Sequence, residues 1–161
     1  MASTPAVYLD VETDWHRQLT VVGFQCRETG PVQLVGAEIT KRRLTSELPK
    51  SARLYTFNGH AFDLVVIRKQ LGVNLRDRHD SCDLMWMCRR SGLPGGQKTI
   101  EARLGIRRSC EISSGMEAIR LWQRYQRGDS EALQTLLEYN LEDLEGMRRI
   151  HRHLRSKTAR S

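Results

Sequence analysis

The sequence predicts an α/β domain in which a mixed sheet of about five strands is flanked by helices. Three observations support this fold class. Short runs of β-prone residues occupy the first half of the chain, apolar residues at helical spacing occupy the second half, and one helix is predicted between the fourth and fifth strands. The 161 residues are enough for one domain with a single hydrophobic core.

A strand and a hairpin are predicted first. Residues 6–12, 19–26 and 32–35 are rich in apolar and β-branched residues, and Gly30-Pro31 separates the last two runs. The segment 40–50 is polar and highly charged, and no element is predicted there.

The fourth and fifth strands are expected at 53–57 and 75–78, on either side of a helix. That helix is predicted over 60–71, because a glycine, the residue type that most often terminates helices, follows it. After the fifth strand, Asp80 or Ser81 is predicted to cap the next helix.

The second half of the chain is predicted to be helical. Two short helices, at 99–104 and 116–127, are each followed directly by a glycine. The longest helix is predicted over 130–154, where leucine and methionine recur at helical spacing. The domain is therefore assigned to residues 1–155, and residues 156–161 are expected to form a disordered basic tail.

Charge and composition point to a polyanionic partner. The chain has 26 Lys and Arg against 19 Asp and Glu, a net charge of +7; without the four acidic residues discussed below, 26 against 15 leaves +11. Such an excess favours nucleic acid, although a solvated basic surface has the same composition. The four cysteines lack the spacing of zinc ligands, and no apolar run resembles a signal peptide or a membrane span. We therefore expect free thiols, a cytoplasmic location and no membrane partner.

Four acidic residues and one tyrosine, in three separate segments, are the candidate catalytic residues. Asp10 and Glu12 lie two apart on the first predicted strand, so their side chains project from one face. Asp63 falls in the first turn of the helix that follows the fourth strand. Tyr139 and Asp143 stand four apart on the last helix and face the same way. Taken singly, each motif has an ordinary explanation: an exposed strand face or edge, a helix-start residue, or a surface aspartate near a half-buried tyrosine.

The chemistry of two-ion phosphodiester hydrolysis explains why these residue types would act together. Neighbouring carboxylates oppose each other's ionisation unless a cation compensates, and hard divalent cations prefer carboxylate oxygens. Two such ions about 3.5 to 4 Å apart stabilise both the attacking and the leaving oxygen. The pattern therefore predicts a nuclease that uses two Mg²⁺ or Mn²⁺ ions bound by Asp10, Glu12, Asp63 and Asp143.

Together the three segments resemble the DEDD superfamily of 3′–5′ exonucleases, in its tyrosine-containing branch. The resemblance rests on Asp10-x-Glu12, Asn58-x-x-x-Phe62-Asp63 and Tyr139-x-x-x-Asp143, and it extends from residue 8 to about residue 154. Within that superfamily the domain is most similar to YprB-type ribonuclease H-like exonucleases, which more often have His at the position of Tyr139. The auxiliary matches are Asp83-Leu84-Met85, Lys98-Thr99-Ile100-Glu101, Leu104-Gly105-Ile106 and Gly128-Asp129.

The resemblance implies a ribonuclease H-like sheet and a role for each motif residue. Asp10, Glu12 and Asp143 would hold the ion that activates water, Asp10 and Asp63 the ion at the leaving oxygen, and Tyr139 would orient the water. A phenol with an ordinary pKa near 10 is a poor base at neutral pH, so Tyr139 is expected to act by positioning.

Seven further residues are candidates for substrate contact because they are basic, aromatic or next to a motif: Asn58, His60, Phe62, Lys98, Arg120, Arg124 and Arg127. The three arginines share one face of a predicted helix and suit phosphates. The lysine follows a glycine-rich loop, and the rings at the second motif suit stacking on a terminal nucleotide. Each also fits an ordinary role: solvated helix face, turn residue or core phenylalanine.

The sequence thus predicts the removal of nucleotides from the free 3′ end of single-stranded nucleic acid, with DNA slightly favoured over RNA. One alternative is an endonuclease or RNA-processing nuclease on the same fold. Another is a non-catalytic module that binds nucleic acid or a partner protein. The presence of all four carboxylates and the tyrosine argues against a degenerate site.

Overall fold

A computed structural model describes residues 4–110 and 112–158. Its strands in chain order are β1 Ala6–Thr13, β2 Leu19–Cys26, β3 Gly30–Val35, β4 Arg53–Thr56 and β5 Asp80–Asp83. The helices are α1 Lys41–Glu47, α2 Asp63–Leu71, α3 Leu84–Arg90, α4 Gln97–Arg103, α5 Gly115–Gln126 and α6 Ser130–Thr158. No helix in these two ranges is both long enough and apolar enough to cross a bilayer.

The five strands form one mixed sheet in the order β3-β2-β1-β4-β5. The first three are antiparallel, whereas β4 is parallel to β1 and β5 is parallel to β4. Parallel pairing requires a crossover, which α2 provides between β4 and β5. The predicted fold class is confirmed, and β1, the strand with the first acidic pair, lies at the centre of the sheet.

Alternation along β1 directs its acidic residues to one face of the sheet. One face carries apolar side chains that pack on α1 and α2, and those of β1 are Val7, Leu9 and Val11. The opposite face is covered by α3, α4, α5 and the 29-residue α6. Tyr8 belongs to the core on this second face. Because side chains alternate along a strand, Asp10 and Glu12 also face α6.

The end of β4 leaves part of β1 without a strand neighbour. The β1–β4 register stops at Tyr8 and Tyr55, whereas β1 continues to Thr13. Beyond that point the backbone amide of Val11 donates to Asp63 Oδ1 at 3.0 Å, so the first residue of α2 supplies the acceptor that a strand would otherwise provide.

The fifth strand and its helix cap differ from the prediction. Residues 75–78 are not a strand: Leu75–Asp77 is a 3-10 turn, closed by a 2.7 Å hydrogen bond from Asn74 Nδ2 to Asp77 Oδ1. The strand is the polar Asp80–Asp83, which the ladder with β4 stabilises at the edge of the sheet. Asp80 begins this strand, and Asp83, rather than Asp80 or Ser81, caps α3 by accepting from the amide of Met85.

Several predicted boundaries also shift. The charged segment after β3 contains α1, which is capped by Thr40. This helix was not predicted because it buries only Leu44, and one buried residue gives no helical repeat of apolar positions in the sequence. Gly30-Pro31 begins β3 instead of separating the strands. The helix predicted from residue 60 begins at Asp63, and α6 extends to Thr158, so the first three residues of the predicted disordered tail are helical. Residues 159–161 of that tail lie outside the described residues.

Candidate active site

Three of the predicted carboxylates meet over the central strand. Asp10, Glu12 and Asp143 each place one oxygen within 4.8 Å of the others, although Asp143 comes from α6. Glu12 and Asp143 are each 8 % exposed, and Asp10 is half-buried. Three oxygens at this separation can coordinate one cation.

The fourth carboxylate, Asp63, lies beside this cluster but outside the group of three. It is 5 % exposed, and one of its oxygens accepts from the amide of Val11. Its charge still acts on both Asp10 and Glu12, whose pKa values it raises. The structure therefore brings all four acidic residues together, with the helix-start position of Asp63 as predicted.

Burial and mutual repulsion dominate the electrostatics of the cluster. Burial, followed by the charges of neighbouring acids, raises the pKa of Asp10 and of Glu12 well above the ordinary value. Burial also raises the pKa of Asp63 to about 7. The pKa of Asp143 is raised by burial as well, although the nearby cations Lys98 and Arg108 oppose that shift. A divalent cation would favour the ionised form of all four groups.

We expect the thermal stability of the protein in EDTA to fall as pH rises. The folded-state pKa of Asp63, about 7, lies above its ordinary value of 3.8. The stability that its proton provides is complete below about pH 4 and is lost as the pH rises through about 7. Asp63→Asn should make the melting temperature less dependent on pH, because the amide oxygen of asparagine can still accept from the amide of Val11 but the side chain carries no charge. The measurement is the melting temperature in EDTA between about pH 4 and pH 7, with Asp77→Asn as the control because Asp77 is an exposed carboxylate. Equal slopes for wild type and Asp63→Asn would contradict it.

An unpredicted residue, Asn140, holds Asp10 in place. Asn140 is fully buried, and its Nδ2 donates to Asp10 Oδ2 at 2.8 Å. Its Oδ1 accepts from Gln33 Nε2 at 2.9 Å, so the amide orientation is determined from β3. Gly23 pairs with Asp10 across β1 and β2, and a Cβ atom there would overlap the Asn140 amide. The missing side chain at Gly23 is what lets α6 reach Asp10.

Gly23→Ala is expected to destabilise the protein and reduce activity together. The added methyl group must displace a fully buried amide, a type of overpacking that costs about 1 to 3 kcal/mol. Displacement of Asn140 also releases Asp10 from its hydrogen bond. Urea unfolding and a nuclease assay measure the two effects, with Gly115→Ala as the control because a Cβ there meets open space. If Gly23→Ala has wild-type stability and activity, the position of the Asn140 amide does not depend on the missing side chain at Gly23.

Tyr139 and Lys98 lie directly beside Asp143. Tyr139 is 3 % exposed, and its hydroxyl accepts from Lys98 Nζ at 2.5 Å. The same Nζ is 4.0 Å from Asp143 Oδ1. Burial, together with the charges of Asp143 and Glu12, raises the pKa of Tyr139 above its ordinary value, so the phenol is protonated at neutral pH. The structure therefore brings one predicted substrate-binding residue, Lys98, to the carboxylates.

Two arrangements around Asp143 were not foreseen from the sequence. Gln97 Nε2 donates to the backbone oxygen of Asp143 at 2.8 Å, which joins α4 to α6. Arg108, in the loop after α4, donates from both Nη atoms to Asp143 Oδ1. In the sequence this arginine is one of an adjacent pair, and nothing in its spacing distinguishes it from Arg107.

The second motif forms a turn that Asp83 anchors from β5. Asn58 has a positive φ of 59°, and its amide donates to Asp83 Oδ1 at 2.8 Å. The amide of His60 lies 3.3 Å from Asp83 Oδ2, and its ring Nε2 is 2.8 Å from Ser81 Oγ. Phe62 packs against the core cluster of α1 and α2, as an ordinary core phenylalanine does. Asn58 is exposed and His60 is partly exposed, so both remain candidates for substrate contact.

The three predicted arginines are exposed, two of them on α5 and Arg127 at its C-terminal cap. Arg120 and Arg124 lie on the exposed face of the helix, whereas the opposite face buries Ala118, Leu121 and Trp122. Arg124 pairs with Asp129 through Nε at 2.9 Å and Nη2 at 2.6 Å. Within residues 4–110 and 112–158, no hydrogen bond or ion pair joins these arginines to the carboxylate cluster.

Comparisons with known proteins agree with this architecture. A family model described as the RNase_H superfamily matches residues 7–155. Among solved structures, the family B DNA polymerase from the hyperthermophilic archaeon Pyrobaculum calidifontis is similar, with a TM-score of 0.69 and 14 % sequence identity. The match covers 91 % of this chain and 24 % of the polymerase chain, so this chain spans about a quarter of that protein, and at this identity the similarity concerns the fold. No curated protein sequence matches the chain.

Proposed function

The chain belongs to the RNase H superfamily, and from that membership we propose that it is a metal-dependent nuclease that removes nucleotides from the 3′ end of single-stranded nucleic acid. One observation carries the proposal: Asp10, Glu12 and Asp143, from two distant segments, meet in a buried acidic cluster with Asp63 beside it. Burying four carboxylates together is costly unless they bind a cation.

The donor set fits two divalent cations. All four groups are carboxylates, the ligands that Mg²⁺ and Mn²⁺ prefer. Asp10, Glu12 and Asp143 would hold one ion, and Asp10 with Asp63 would hold the other. When bound, such ions supply an activated water and stabilise the leaving oxygen.

Tyr139 is suited to orient a water molecule or a phosphate oxygen. Lys98 Nζ donates to the phenol oxygen, so the Tyr139 O–H proton is directed elsewhere and remains available as a donor. Because the phenol stays protonated at neutral pH, Tyr139 acts by positioning rather than as a base. The ammonium group of Lys98, beside Asp143, adds positive charge where a scissile phosphate would lie.

The support for end-directed cleavage is the combination of the three sequence motifs in one site. The Asn58–His60 turn, anchored by Asp83, follows β4 and precedes Asp63. This turn is where we place the terminal nucleotide. An endonuclease on the same fold is the second candidate, since the carboxylate cluster by itself does not require a chain end.

The test uses single-stranded DNA and RNA oligonucleotides labelled at either end, plus a circular single strand, in Mg²⁺, Mn²⁺ or EDTA. The expected result is early release of the 3′ label, a ladder that shortens towards the 5′ label, no attack on the circle, and no reaction in EDTA. Cleavage of the circle would establish endonuclease activity instead. Oligonucleotide binding without any cleavage would support the non-catalytic alternative.

The arginines of α5 and of its C-terminal cap give a separate prediction about binding. Affinity for a single strand is measured in Ca²⁺ at several salt concentrations. If Arg120, Arg124 and Arg127 contact the strand, their joint replacement by Ala should reduce the slope of log affinity against log salt concentration by about 0.7 per lost phosphate contact. Because Arg124 is already paired with Asp129, we expect a change corresponding to about two contacts rather than three. The control replaces Lys41, Arg42 and Arg43 of α1, which removes the same charge. Equal slopes for both triple variants would place the strand elsewhere.

A further inference from the structure

Arg108 connects the candidate metal ligand Asp143 to two other acidic side chains. Its side chain is 16 % exposed, in the loop between α4 and α5. Both Nη atoms donate to Asp143 Oδ1, one of them at 2.8 Å. The carboxylate that a cation would use is therefore also held by a guanidinium group.

The Nε atom of Arg108 faces a second set of acceptors. It lies 3.5 Å from Glu101 Oε2 and 3.5 Å from Glu142 Oε2. These three atoms are buried, and none has a hydrogen-bond partner in the described parts of the chain. A buried polar atom without a partner is costly, so this arrangement favours any movement that closes the gap.

The two glutamates are held in place by their other oxygens. Glu101 Oε1 accepts from Gln97 Nε2 at 2.8 Å, and Gly146 leaves the space in which Glu101 lies against α6. Glu142 Oε1 accepts from the amides of Ser109 and Cys110 at 2.5 Å and 2.9 Å. The Oε2 atom of each glutamate is therefore available to accept a hydrogen bond from Arg108. Closing 3.5 Å to a normal N–H···O distance needs a shift of only about half an ångström.

We propose that Arg108 is a positioning residue with two docking positions, one on Asp143, where it competes with a divalent cation, and one on Glu101 and Glu142, where it releases Asp143 to the cation. The inference rests on the proposed two-ion function. The exchange keeps the guanidinium paired in both positions, which matters because an unpaired buried charge is strongly destabilising. It also keeps Asp143 neutralised when a cation leaves.

A purely structural role for Arg108 predicts the opposite sign in a binding measurement. If the ion pair only holds Asp143 in place, removing Arg108 disorders a ligand and weakens cation binding. If Arg108 competes for Asp143, removing it strengthens binding. One positive charge within about 4 to 6 Å shifts an acid's pKa by 1 to 3 units, so the change in affinity should be at least about tenfold.

The experiment compares Arg108→Gln with Arg107→Gln, which removes the same charge from the adjacent exposed residue. Mn²⁺ affinity is measured by calorimetry without nucleic acid, at the same pH for every variant. Arg108→Gln should bind Mn²⁺ at least about tenfold more tightly than wild type, and Arg107→Gln should stay within about twofold. Unchanged or weaker binding in Arg108→Gln would overturn the proposal.

Two further variants keep the test decisive if Arg108→Gln does not fold. Arg108→Lys retains the charge but not the fork of N–H donors, so its Mn²⁺ affinity should also exceed that of wild type. Glu142→Gln keeps the acceptor for Ser109 and Cys110 but removes one of the two charges that form the second docking position, so it should weaken Mn²⁺ binding. In an Arg108→Lys background this weakening should shrink, as a double-mutant cycle measures. Equal weakening in both backgrounds, or Arg108→Lys at or below wild-type affinity, would overturn the proposal.

The binding measurement also separates this inference from the proposed function. Mn²⁺ binding by wild type that Asp10→Ala abolishes is required by the two-ion function. If wild type lacks such binding, the proposed function fails and this inference fails with it. If wild type binds Mn²⁺ but Arg108→Gln does not bind more tightly, only the role of Arg108 is wrong.

Discussion

Replacing Asp10 with Ala is expected to abolish hydrolysis and leave the fold intact. Asp10 is the carboxylate that both proposed ions share, so its loss should lower the single-turnover rate by at least about a thousandfold. The pairing of β1 with β2 is made by backbone groups and needs no side chain at this position, so the fold should be retained.

The stability of Asp10→Ala tests the same idea independently of activity. Burial and the charges of Asp143, Glu12 and Asp63 raise the pKa of Asp10, so its ionised form destabilises the folded protein when no cation is bound. We expect the melting temperature in EDTA to be equal to or above that of wild type, whereas the gain on adding Mn²⁺ should be lost. Asp77→Asn serves as the control. Near wild-type activity in Asp10→Ala would contradict the two-ion proposal.

Tyr139→Phe should slow the chemical step without changing cation binding. The substitution removes one buried hydroxyl and keeps the ring within its core cluster. If that hydroxyl orients the water, the saturating rate should fall by about ten- to a thousandfold. Lys98 Nζ loses its 2.5 Å partner but keeps Asp143 at 4.0 Å, so the ammonium group stays in the site.

Asp143→Asn is the matched comparison for Tyr139→Phe. It changes a proposed ligand on the same face of α6, so the Mn²⁺ concentration at half-maximal rate should rise, whereas Tyr139→Phe should leave it unchanged. Single-turnover cleavage of a 3′-labelled oligonucleotide across a Mn²⁺ titration measures both quantities. If Tyr139→Phe moves the midpoint but not the saturating rate, Tyr139 does not orient the water.

Local spacing was sufficient to place Asp10 with Glu12 and Tyr139 with Asp143, whereas the grouping of these pairs with Asp63 into one site was implied by the resemblance to the DEDD superfamily. Asp10 and Glu12 had to share a face because strand side chains alternate, and Tyr139 and Asp143 had to share a face because helix positions four apart are neighbours. The order of strands and helices was likewise enough for the mixed sheet. The fifth strand was misplaced because its residues, Asp80–Asp83, are polar and are stabilised by pairing with β4 rather than by an apolar pattern.

The supporting residues had no comparable signal. Asn140 contacts Asp10 across 130 positions of sequence, and the contact depends on the missing side chain of Gly23 on a third element. Arg108 meets Asp143 only because the loop after α4 folds back over α6. Phe62, next to Asp63 in the chain, is partly buried and packs against the core.

By itself, the sequence determined the fold class and which acidic and tyrosine side chains share a face of their strand or helix, because alternation and helical spacing are local properties of the chain. The grouping of these residues into one candidate site was implied by the resemblance of the three motifs to a known family. Only the tertiary structure decided how those groups are neutralised and aligned: Lys98 on Tyr139, Arg108 on Asp143, and Asn140 on Asp10. The reason is that hydrogen bonds and charge interactions depend on distances of a few ångströms between atoms far apart in sequence, and those distances exist only once the sheet and α6 have packed.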